Sequence, residues 1–282
     1  MSYKDYKLLK IRVNRGVLFA TIDNPPINLL TNELYGEFGK LAEEVSNDDN
    51  VKVIVFDSAD PDYFICHYDV SLLLLYPDKA PPKPTELHFG HQMQEIYRTM
   101  PKISIAKIEG RVRGGGSEFV LSLDMRFGAI GKAILSQLEI PLGIIPGGGG
   151  TQRLPRLVGR SRAMEIVVGG GDYSADIAEK YGYINRALPP EEITPFVEEL
   201  AYRIASYPAE TIAAAKKAVL VALEKPVEEG LLEEQHLFNL TCTSSAAKER
   251  MKLFLELGGQ TREGELKVSK WVKKLTEKLE KK

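Results

Sequence analysis

The first part of the chain alternates between hydrophobic patterns of period two and patterns of period three to four. Residues 9–14 carry apolar side chains at every second position, and the mostly apolar run 17–22 follows a turn, which together predict a β-hairpin. In residues 30–45 the apolar side chains recur at steps of three and four, which predicts an amphipathic helix with Thr31 or Asn32 as its N-cap. A β-β-α unit therefore opens the fold.

The same patterns continue to about residue 190 and then change. Further strands are expected at residues 51–56, 103–108, 133–138 and 183–187, and helices at 88–99, 118–123, 151–157, 160–168 and 175–180. Residues 76–86 contain four prolines and predict a loop. After residue 190 only helical patterns occur, at residues 191–206, 208–223, 227–240, 244–257 and 264–281. A sheet-containing part followed by a helical part predicts an α/β fold.

Composition and charge argue against several classes of protein. The formal net charge of −2 lacks the basic excess that is typical of proteins that bind nucleic acid or anionic membranes, so neither partner is expected. The two cysteines, Cys66 and Cys242, form no disulfide framework or zinc spacing, and His88 and His91 lack a third neighbouring ligand, so no metal is expected. The N-terminal residues lack the apolar stretch of a signal peptide, which predicts a cytoplasmic protein.

A glycine-rich turn at residues 110–116 lies between a predicted strand and a predicted helix. Glycines let the backbone adopt unusual dihedral angles and let a ligand approach main-chain N–H groups closely. The N-terminus of the following helix adds unpaired N–H donors and partial positive charge, which suits a site for negative charge. A plain turn and a nucleotide-phosphate loop are the alternatives. Neither this turn nor a second one at residues 146–150 carries the Gly-Lys-Ser/Thr ending of a phosphate loop.

Two glutamates stand close to these turns in the sequence. Glu118 follows the first glycine turn, and Glu139 follows the strand expected at residues 133–138. Taken alone, each is most simply explained as structural, Glu118 as a carboxylate at a helix N-terminus and Glu139 as a charge at a strand end. Taken together, two carboxylates beside strand ends and glycine turns indicate acid–base chemistry.

Two longer motifs resemble those of the crotonase superfamily, the enoyl-CoA hydratase/isomerase proteins. Its members carry Gly-x-x-x-Gly-Gly-Gly-x-Glu-Leu, and residues 110–119 read Gly-Arg-Val-Arg-Gly-Gly-Gly-Ser-Glu-Phe. They also carry Gln-Pro-Glu-x-x-x-Gly-x-x-Pro-Gly-x-Gly-Gly-Thr-Gln-Arg-Leu, and residues 137–154 read Gln-Leu-Glu-Ile-Pro-Leu-Gly-Ile-Ile-Pro-Gly-Gly-Gly-Gly-Thr-Gln-Arg-Leu. Residues 64–70, Phe-Ile-Cys-His-Tyr-Asp-Val, are similar to the family's Phe-x-Ala-Gly-x-Asp-Leu. The resemblance spans about residues 8–260.

The resemblance implies an architecture and an assembly. The expected fold is α/β, a crotonase-like spiral of ββα repeats over residues 1–200 that holds a CoA-thioester site. Residues 201–282 are expected to form a helical oligomerisation region, because members of this superfamily join as trimers or pairs of trimers, here a homotrimer or homohexamer. The expected partner is an acyl-CoA thioester. Coenzyme A is part of that substrate, so no separate cofactor is expected.

The resemblance also implies roles for individual residues. The backbone N–H groups of Tyr68 and Gly115 are expected to form an oxyanion hole, and Glu118 and Glu139 to hold water and move protons. The residues expected to line the substrate site are Pro26, Ile27, Ile65, Cys66, His67, Asp69 and Gly114.

The expected activity is that of an enoyl-CoA hydratase, which adds water to a 2-enoyl-CoA thioester. Glu118 is expected to orient and activate the water, and Glu139 to exchange the proton on the α-carbon. The alternatives are other acyl-CoA reactions on the same scaffold, namely double-bond isomerisation, thioester hydrolysis and decarboxylation. A non-catalytic acyl-CoA-binding relative is a further alternative.

Two of the departures from the family pattern bear on the site. His67 stands where the family usually has glycine, and the turn is expected to survive because histidine tolerates a positive φ better than most residues. The imidazole either reaches the substrate pocket or is simply accommodated in the loop. Leu138 replaces the usual proline before Glu139, which is expected to shift that carboxylate. Both changes bear on the substrate and the reaction, and leave the expected scaffold unchanged.

Overall fold

The computed structural model describes residues 3–267. The strands are β1 (Leu9–Asn14), β2 (Val17–Ile22), β3 (Val53–Ser58), β4 (Tyr63–Ile65), β5 (Ile103–Ile108), β6 (Arg111–Arg113), β7 (Met125–Ala129), β8 (Ile134–Ser136), β9 (Tyr173–Ser174) and β10 (Arg186–Leu188). The helices are α1 (Asn32–Ser46), α2 (Val70–Leu73), α3 (Phe89–Thr99), α4 (Gly115–Leu121), α5 (Gly150–Val158), α6 (Arg160–Gly169), α7 (Ala175–Tyr181), α8 (Pro190–Ala205), α9 (Ala209–Val221), α10 (Val227–Thr243), α11 (Ser245–Glu256) and α12 (Arg262–Glu265). The end of the segment predicted at 264–281 lies outside the described residues.

The strands form two sheets, and three ββα repeats each contribute one strand to both of them. The six-stranded sheet has the order β1-β2-β3-β5-β7-β10, and the four-stranded sheet has the order β4-β6-β8-β9. Each of the pairs β3–β4, β5–β6 and β7–β8 sends its first strand to the large sheet and its second to the small one, and a helix follows each pair. The expected α/β arrangement of ββα repeats is confirmed.

Strand direction places the loops of the repeats at one end of the sheets. In the large sheet β1 and β2 are antiparallel, and the other neighbours are parallel. In the small sheet β4, β6 and β8 are parallel, and β9 is antiparallel to β8. Because the carboxyl ends of parallel strands meet at one edge, the segments after β4, β6 and β8 lie close together. These segments contain the residues predicted for the oxyanion hole, Tyr68 and Gly115, and the two predicted catalytic glutamates, Glu118 and Glu139.

The α1 helix begins where its sequence predicts. Thr31 adopts an extended conformation, and its hydroxyl oxygen accepts a hydrogen bond from the Leu34 N–H at 3.3 Å. This is the bond that an N-cap side chain makes, so Thr31 rather than Asn32 caps the helix. The buried face of α1 carries the residues of the predicted stripe, including Leu34 and Phe38.

Aromatic packing fixes α4 against the rest of the core. The Phe119 ring stacks on Phe38 with centroids 4.3 Å apart, and it meets Phe56 and Tyr97 edge to face. The Tyr97 hydroxyl donates to the Phe38 carbonyl at 2.8 Å. All four side chains are fully buried. Since buried aromatic side chains contribute strongly to core stability, α4 and the Glu118 beside Phe119 are held in one position.

Several elements differ from the sequence prediction. The predicted turn at residues 110–116 contains β6, and the following helix begins at Gly115 rather than at Glu118. The β7 strand was not predicted. Its pattern contains Arg126, a buried charge whose guanidinium donates to the Leu123 carbonyl at 2.7 Å and to the Tyr183 carbonyl at 3.0 Å. A charged residue that is buried through backbone acceptors interrupts the apolar signal on which strand prediction depends.

The described chain divides into two compact units, with the boundary after Tyr202. The first unit contains both sheets, and the second contains α9 to α12. The α10 helix exposes several apolar side chains, namely Leu231, Leu232, Phe238 and Leu240. The expected division into a catalytic part and an oligomerisation part stays a prediction. Over residues 3–267, the helices include none whose length and apolar content suit a bilayer span.

Candidate active site

The glycine turn after β6 brings α4 against the loop that follows β4. Gly114 has φ 49° and ψ −127°, a left-handed conformation that favours glycine, and it directly precedes α4. A methyl group on Gly115 would lie 3.1 Å from Tyr68 Cβ and 3.6 Å from Tyr68 N, and one on Gly116 would lie 2.6 Å from Ile65 Cγ2. The glycines therefore permit a close approach of two backbone segments. This approach brings the predicted oxyanion-hole residues Tyr68 and Gly115 together.

The loop after β4 is held in an extended conformation by hydrogen bonds to Leu30, which is distant in sequence. The Leu30 N–H donates to the His67 carbonyl at 2.9 Å, and the Asp69 N–H donates to the Leu30 carbonyl at 3.1 Å. These bonds form a β-bridge between Leu30 and Tyr68. Within residues 3–267, neither the Tyr68 N–H nor the Gly115 N–H donates to a protein acceptor. Two neighbouring backbone donors thus remain for a ligand.

The predicted substrate-lining residues of the N-terminal part lie beside the same loop. The Cys66 N–H donates to the Asn28 carbonyl at 3.3 Å, which aligns the segment containing Pro26 and Ile27 with residues 65–69. Pro26 is exposed and Ile27 is half-buried. Both residues are therefore at least partly accessible to solvent.

Other predicted substrate residues have structural contacts. Ile65 is fully buried beneath Gly116, and Cys66 is buried beside it in the chain. The Asp69 carboxylate caps α2 by accepting a hydrogen bond from the Ser71 N–H at 2.9 Å. These three residues shape the loop.

Glu118 lies in the first turn of α4 and faces the second glycine turn. Its carboxylate Oε1 accepts hydrogen bonds from the N–H groups of Gly148 and Gly150, each at 2.8 Å. The residue is only 3% exposed. Burial raises the pKa of Glu118 to about 7, and the charge of Glu139 adds to this, whereas the two N–H donors act in the opposite direction. A carboxyl with this pKa can gain and lose a proton near neutral pH.

Glu139 follows β8 and precedes a short 3-10 turn at Ile140–Leu142. It is 8% exposed, and its Oε1 lies 2.8 Å from where a methyl group on Gly114 would be. Its Oε2 is buried and has no hydrogen-bond partner in the described part of the chain. Burial raises the pKa of Glu139, while the backbone amides of Glu139 and Leu138 and the charge of His67 oppose the rise. The site therefore contains two buried carboxyls that influence each other.

His67 lies between the predicted oxyanion hole and Glu139. Its Cβ is 3.6 Å from the Cβ position of Gly114, and its Nδ1 is 2.8 Å from the Tyr68 carbonyl oxygen. The described residues with positive φ do not include His67, so the loop needs no left-handed backbone at this position. The reason is the β-bridge with Leu30, which keeps this loop extended and makes histidine as acceptable to the backbone as glycine.

Several contributors to the site could not be recognised from the sequence. The motif at residues 146–150 was recognised as a glycine turn, but its sequence does not say that two of its N–H groups face Glu118. Arg153 lowers the pKa of Glu118 and is itself bound at 2.7 Å by Glu95. Gln94 is fully buried beside Gly149, with no partner for its amide atoms among the described residues. Gln94 and Glu95 come from α3, whose helical pattern carries no functional signal.

Comparisons with known proteins identify the family. The family model described as Enoyl-CoA hydratase/isomerase matches residues 12–263. The chain is 29% identical over 256 residues to the Crotonyl-CoA hydratase of Syntrophomonas wolfei, which covers 90% of this chain and 93% of that protein. It is 38% identical over 169 residues to the mitochondrial Enoyl-CoA hydratase of Pongo abelii, covering 60% of this chain and 56% of that protein.

A solved structure supports the same assignment. The crystal structure of Enoyl-CoA Hydratase from Bacillus anthracis matches with a TM-score of 0.81 and 25% sequence identity, and covers 89% of this chain and 96% of that chain. The family match, the shared fold and the two quoted motifs agree. The chain therefore belongs to the enoyl-CoA hydratase/isomerase family of the crotonase superfamily, and it is an enzyme of that family.

Proposed function

We propose that this enzyme is an enoyl-CoA hydratase, which adds water across the double bond of a 2-enoyl-CoA thioester. The observation that carries the proposal is the pair of buried carboxyls, Glu118 and Glu139, beside two backbone N–H groups that have no protein acceptor within residues 3–267. Hydration needs one group that takes a proton from water and another that supplies a proton to carbon. The names of the relatives from Syntrophomonas wolfei and Pongo abelii support this choice.

The N–H groups of Tyr68 and Gly115 would bind the thioester oxygen. When water adds to the β-carbon, negative charge moves through the double bond onto that oxygen and gives an enolate. Donors that are already in place stabilise this charge without reorganisation, and the loss of one such donor typically costs about 3–4 kcal/mol. The positive end of α4 favours the same charge.

The two glutamates would share one proton in the active form of the enzyme. In the ionised state Glu118 takes a proton from water while the hydroxide oxygen bonds to the β-carbon. Glu139 gives its proton to the α-carbon as the enolate collapses back to the thioester. Because the carboxyls are buried together and repel each other when both are charged, a single shared proton is the favoured state near neutral pH.

Isomerisation, thioester hydrolysis and decarboxylation use the same kind of oxyanion hole, so the products decide among them. Mass spectrometry of reactions with short, branched and aromatic 2-enoyl-CoAs, in water with heavy oxygen, should give products heavier by one labelled water. A product of unchanged mass would indicate isomerisation, and free CoA would indicate hydrolysis. Bound thioester that is recovered unchanged from every reaction would indicate a non-catalytic relative.

The assembly and the substrate are parts of the same proposal. The substrate is an acyl-CoA thioester that brings its coenzyme A with it, so no separate cofactor is required. The apolar side chains that α10 exposes, Leu231, Leu232, Phe238 and Leu240, favour a homotrimer or homohexamer. Light scattering of the purified chain distinguishes these assemblies from a monomer. A cytoplasmic location stays a prediction.

A further inference from the structure

His67 has a titratable side chain and lies next to the site. The proposed reaction does not use this side chain. It is half-buried, and its Nδ1 lies 2.8 Å from the Tyr68 carbonyl oxygen. A carbonyl oxygen can only accept, so Nδ1 must carry a hydrogen in either charge state of the ring. The titrating nitrogen is therefore Nε2, and gain of a proton there leaves the bond to Tyr68 intact.

The same imidazole is close to the buried Glu139 carboxylate. The Cβ position of Gly114 lies 3.6 Å from His67 Cβ and 2.8 Å from Glu139 Oε1, so the two side chains flank one glycine. The other ionisable groups near the ring are the Cys66 thiol and the Arg113 guanidinium, and Arg113 is paired with Asp172 at 2.9 Å. Glu139 is thus the acidic group near the ring that lacks an ion-pair partner among the described residues.

We propose that His67 is a positioning residue of this site. Its Nδ1–H holds the Tyr68 carbonyl and so fixes the peptide next to the predicted oxyanion-hole donor. Its charge favours the ionised form of Glu139, so the proton that the two carboxyls share resides mainly on Glu118 in the resting site and passes to Glu139 before hydration. A glycine at this position, as the family pattern has, could do neither.

The electrostatic directions agree with this geometry. Contact with Cys66 and the bond to Tyr68 raise the pKa of His67, although burial and Arg113 oppose the rise. The charge of His67 opposes the rise that burial causes in the pKa of Glu139. Coupling between two groups is reciprocal, so an ionised Glu139 must also favour the charged form of His67. This reciprocity gives a test that does not require turnover.

The first arm of the test is a histidine titration by NMR. The chain has four histidines, so their Cε1–H signals can be followed individually, and a His67→Asn variant assigns the signal of His67. In a Glu139→Gln variant the pKa of His67 should fall by about one pH unit, as expected for charges a few ångströms apart at a partly buried site. The other three histidines should titrate as in the wild type. An unchanged His67 titration overturns the inference.

The second arm is kinetic, and its interpretation rests on the proposed hydratase function. Asparagine places an N–H where Nδ1 lies in histidine but carries no charge. Glu139 is the first of the two coupled carboxyls to ionise, so its pKa sets the acidic limb of the kcat/KM profile. In His67→Asn this limb should therefore move to higher pH by about one unit, because Glu139 loses the nearby positive charge. His67→Ala should show the same shift and a further loss of kcat of about fivefold, since the bond to Tyr68 is also lost.

The two arms separate the possible failures. His236, an exposed residue of α10, gives the matched control His236→Asn, which should leave the profile of kcat/KM against pH unchanged. If the wild type hydrates no enoyl-CoA, the proposed function fails while the NMR titration still tests the coupling. If the wild type is a hydratase and neither the titration nor the acidic limb moves, only the role of His67 is wrong.

Discussion

The surroundings of Glu118 and Glu139 differ although both carboxyls are buried at one site. Glu118 is enclosed by backbone, with Oε1 held by the N–H groups of Gly148 and Gly150, and its pKa is raised to about 7. Glu139 has a buried Oε2 without a partner in the described chain, and it faces the side chain of His67. The backbone N–H groups of a glycine turn thus influence the pKa of Glu118, whereas a side chain that can change its charge influences the pKa of Glu139.

The surroundings of Glu118 follow the family's motif, whereas the surroundings of Glu139 differ from it. The turn around Glu118 belongs to the long motif at residues 137–154, which follows the family pattern. The surroundings of Glu139 contain both departures from that pattern, His67 and Leu138. We therefore expect changes near Glu118 to affect the rate itself, and changes near Glu139 to affect how the rate depends on pH.

The largest effect should follow removal of either acid. Glu118→Gln and Glu139→Gln should each lower kcat for crotonyl-CoA hydration by about 10²- to 10⁴-fold, the usual contribution of a positioned general acid or base. The double variant should fall little further, because groups that act as a unit are not additive. The exposed Glu43 of α1 supplies the control, and Glu43→Gln should be fully active. A rate near that of the wild type in either single variant removes that residue from the mechanism.

The next largest effect is a gain in the free energy of unfolding in Glu118→Gln, a variant that is expected to lose activity. The pKa of Glu118 is raised in the folded protein from 4.5 to about 7, so folding favours its neutral form. The wild type therefore loses stability as pH rises from about 4.5 through 7, and Glu118→Gln does not share this loss. Urea unfolding at pH 8 should show the variant more stable by up to about 3 kcal/mol, with no difference near pH 4.

Glu139→Gln should gain less stability at pH 8, since His67 and two backbone amides offset the burial of Glu139. This ranking is a direct comparison of the two surroundings. Equal gains in the two variants, or a larger gain in Glu139→Gln, would contradict the difference between them.

A smaller effect should come from the turn that holds Glu118. A methyl group at Gly148 would lie 2.6 Å from Glu118 Oε2, so Gly148→Ala must displace the carboxylate or the turn. Displacement by about 1 Å can cost up to about 10²-fold in rate, and we expect a loss of kcat of about 10- to 100-fold. Gly147→Ala is the matched control in the same turn, because a methyl group at Gly147 would lie 4.0 Å from the Ile145 carbonyl oxygen and meet nothing closer beyond its chain neighbours. Equal rates in the two variants would show that the turn does not position Glu118.

The smallest effect concerns Leu138, which stands where the family has proline. The Leu138 amide favours the ionised form of Glu139, and proline has no N–H. In Leu138→Pro the pKa of Glu139 should therefore rise, moving the acidic limb of kcat/KM to higher pH by about half a unit. Leu138→Ala keeps the N–H and should leave the limb in place. A shift of the acidic limb in Leu138→Ala that equals the shift in Leu138→Pro would assign the effect to lost side-chain packing and not to the lost N–H.

Much of the fold could be predicted because its hydrophobic patterns are regular. The stripe of α1, its cap at Thr31 and the strands β1, β2, β3 and β5 all follow their sequence patterns. The strand β7 could not be found in this way because Arg126 is buried by carbonyl groups that only the folded chain brings together. The three-residue strands β4 and β6 are too short to show a period.

Site residues that belong to a sequence motif could be predicted. Residues that reach the site only through tertiary packing could not. Glu118, Glu139, Gly115 and Tyr68 come from motifs, and the structure brings them to one region. The contributions of Gln94 and Arg153 depend on how α3 and α5 meet the glycine turn, which no local pattern encodes. The extended backbone at His67 could not be read from the sequence, because it depends on pairing of this loop with the distant Leu30.

The most direct test of the account is a crystal structure with acetoacetyl-CoA, an unreactive analogue of the substrate. If Tyr68 and Gly115 form the oxyanion hole, the thioester oxygen lies about 2.7–3.1 Å from both of their backbone nitrogens. The carboxyls of Glu118 and Glu139 should then face the α- and β-carbons of the acyl chain. A thioester oxygen that contacts neither nitrogen, or an acyl chain that reaches neither carboxyl, would contradict the account.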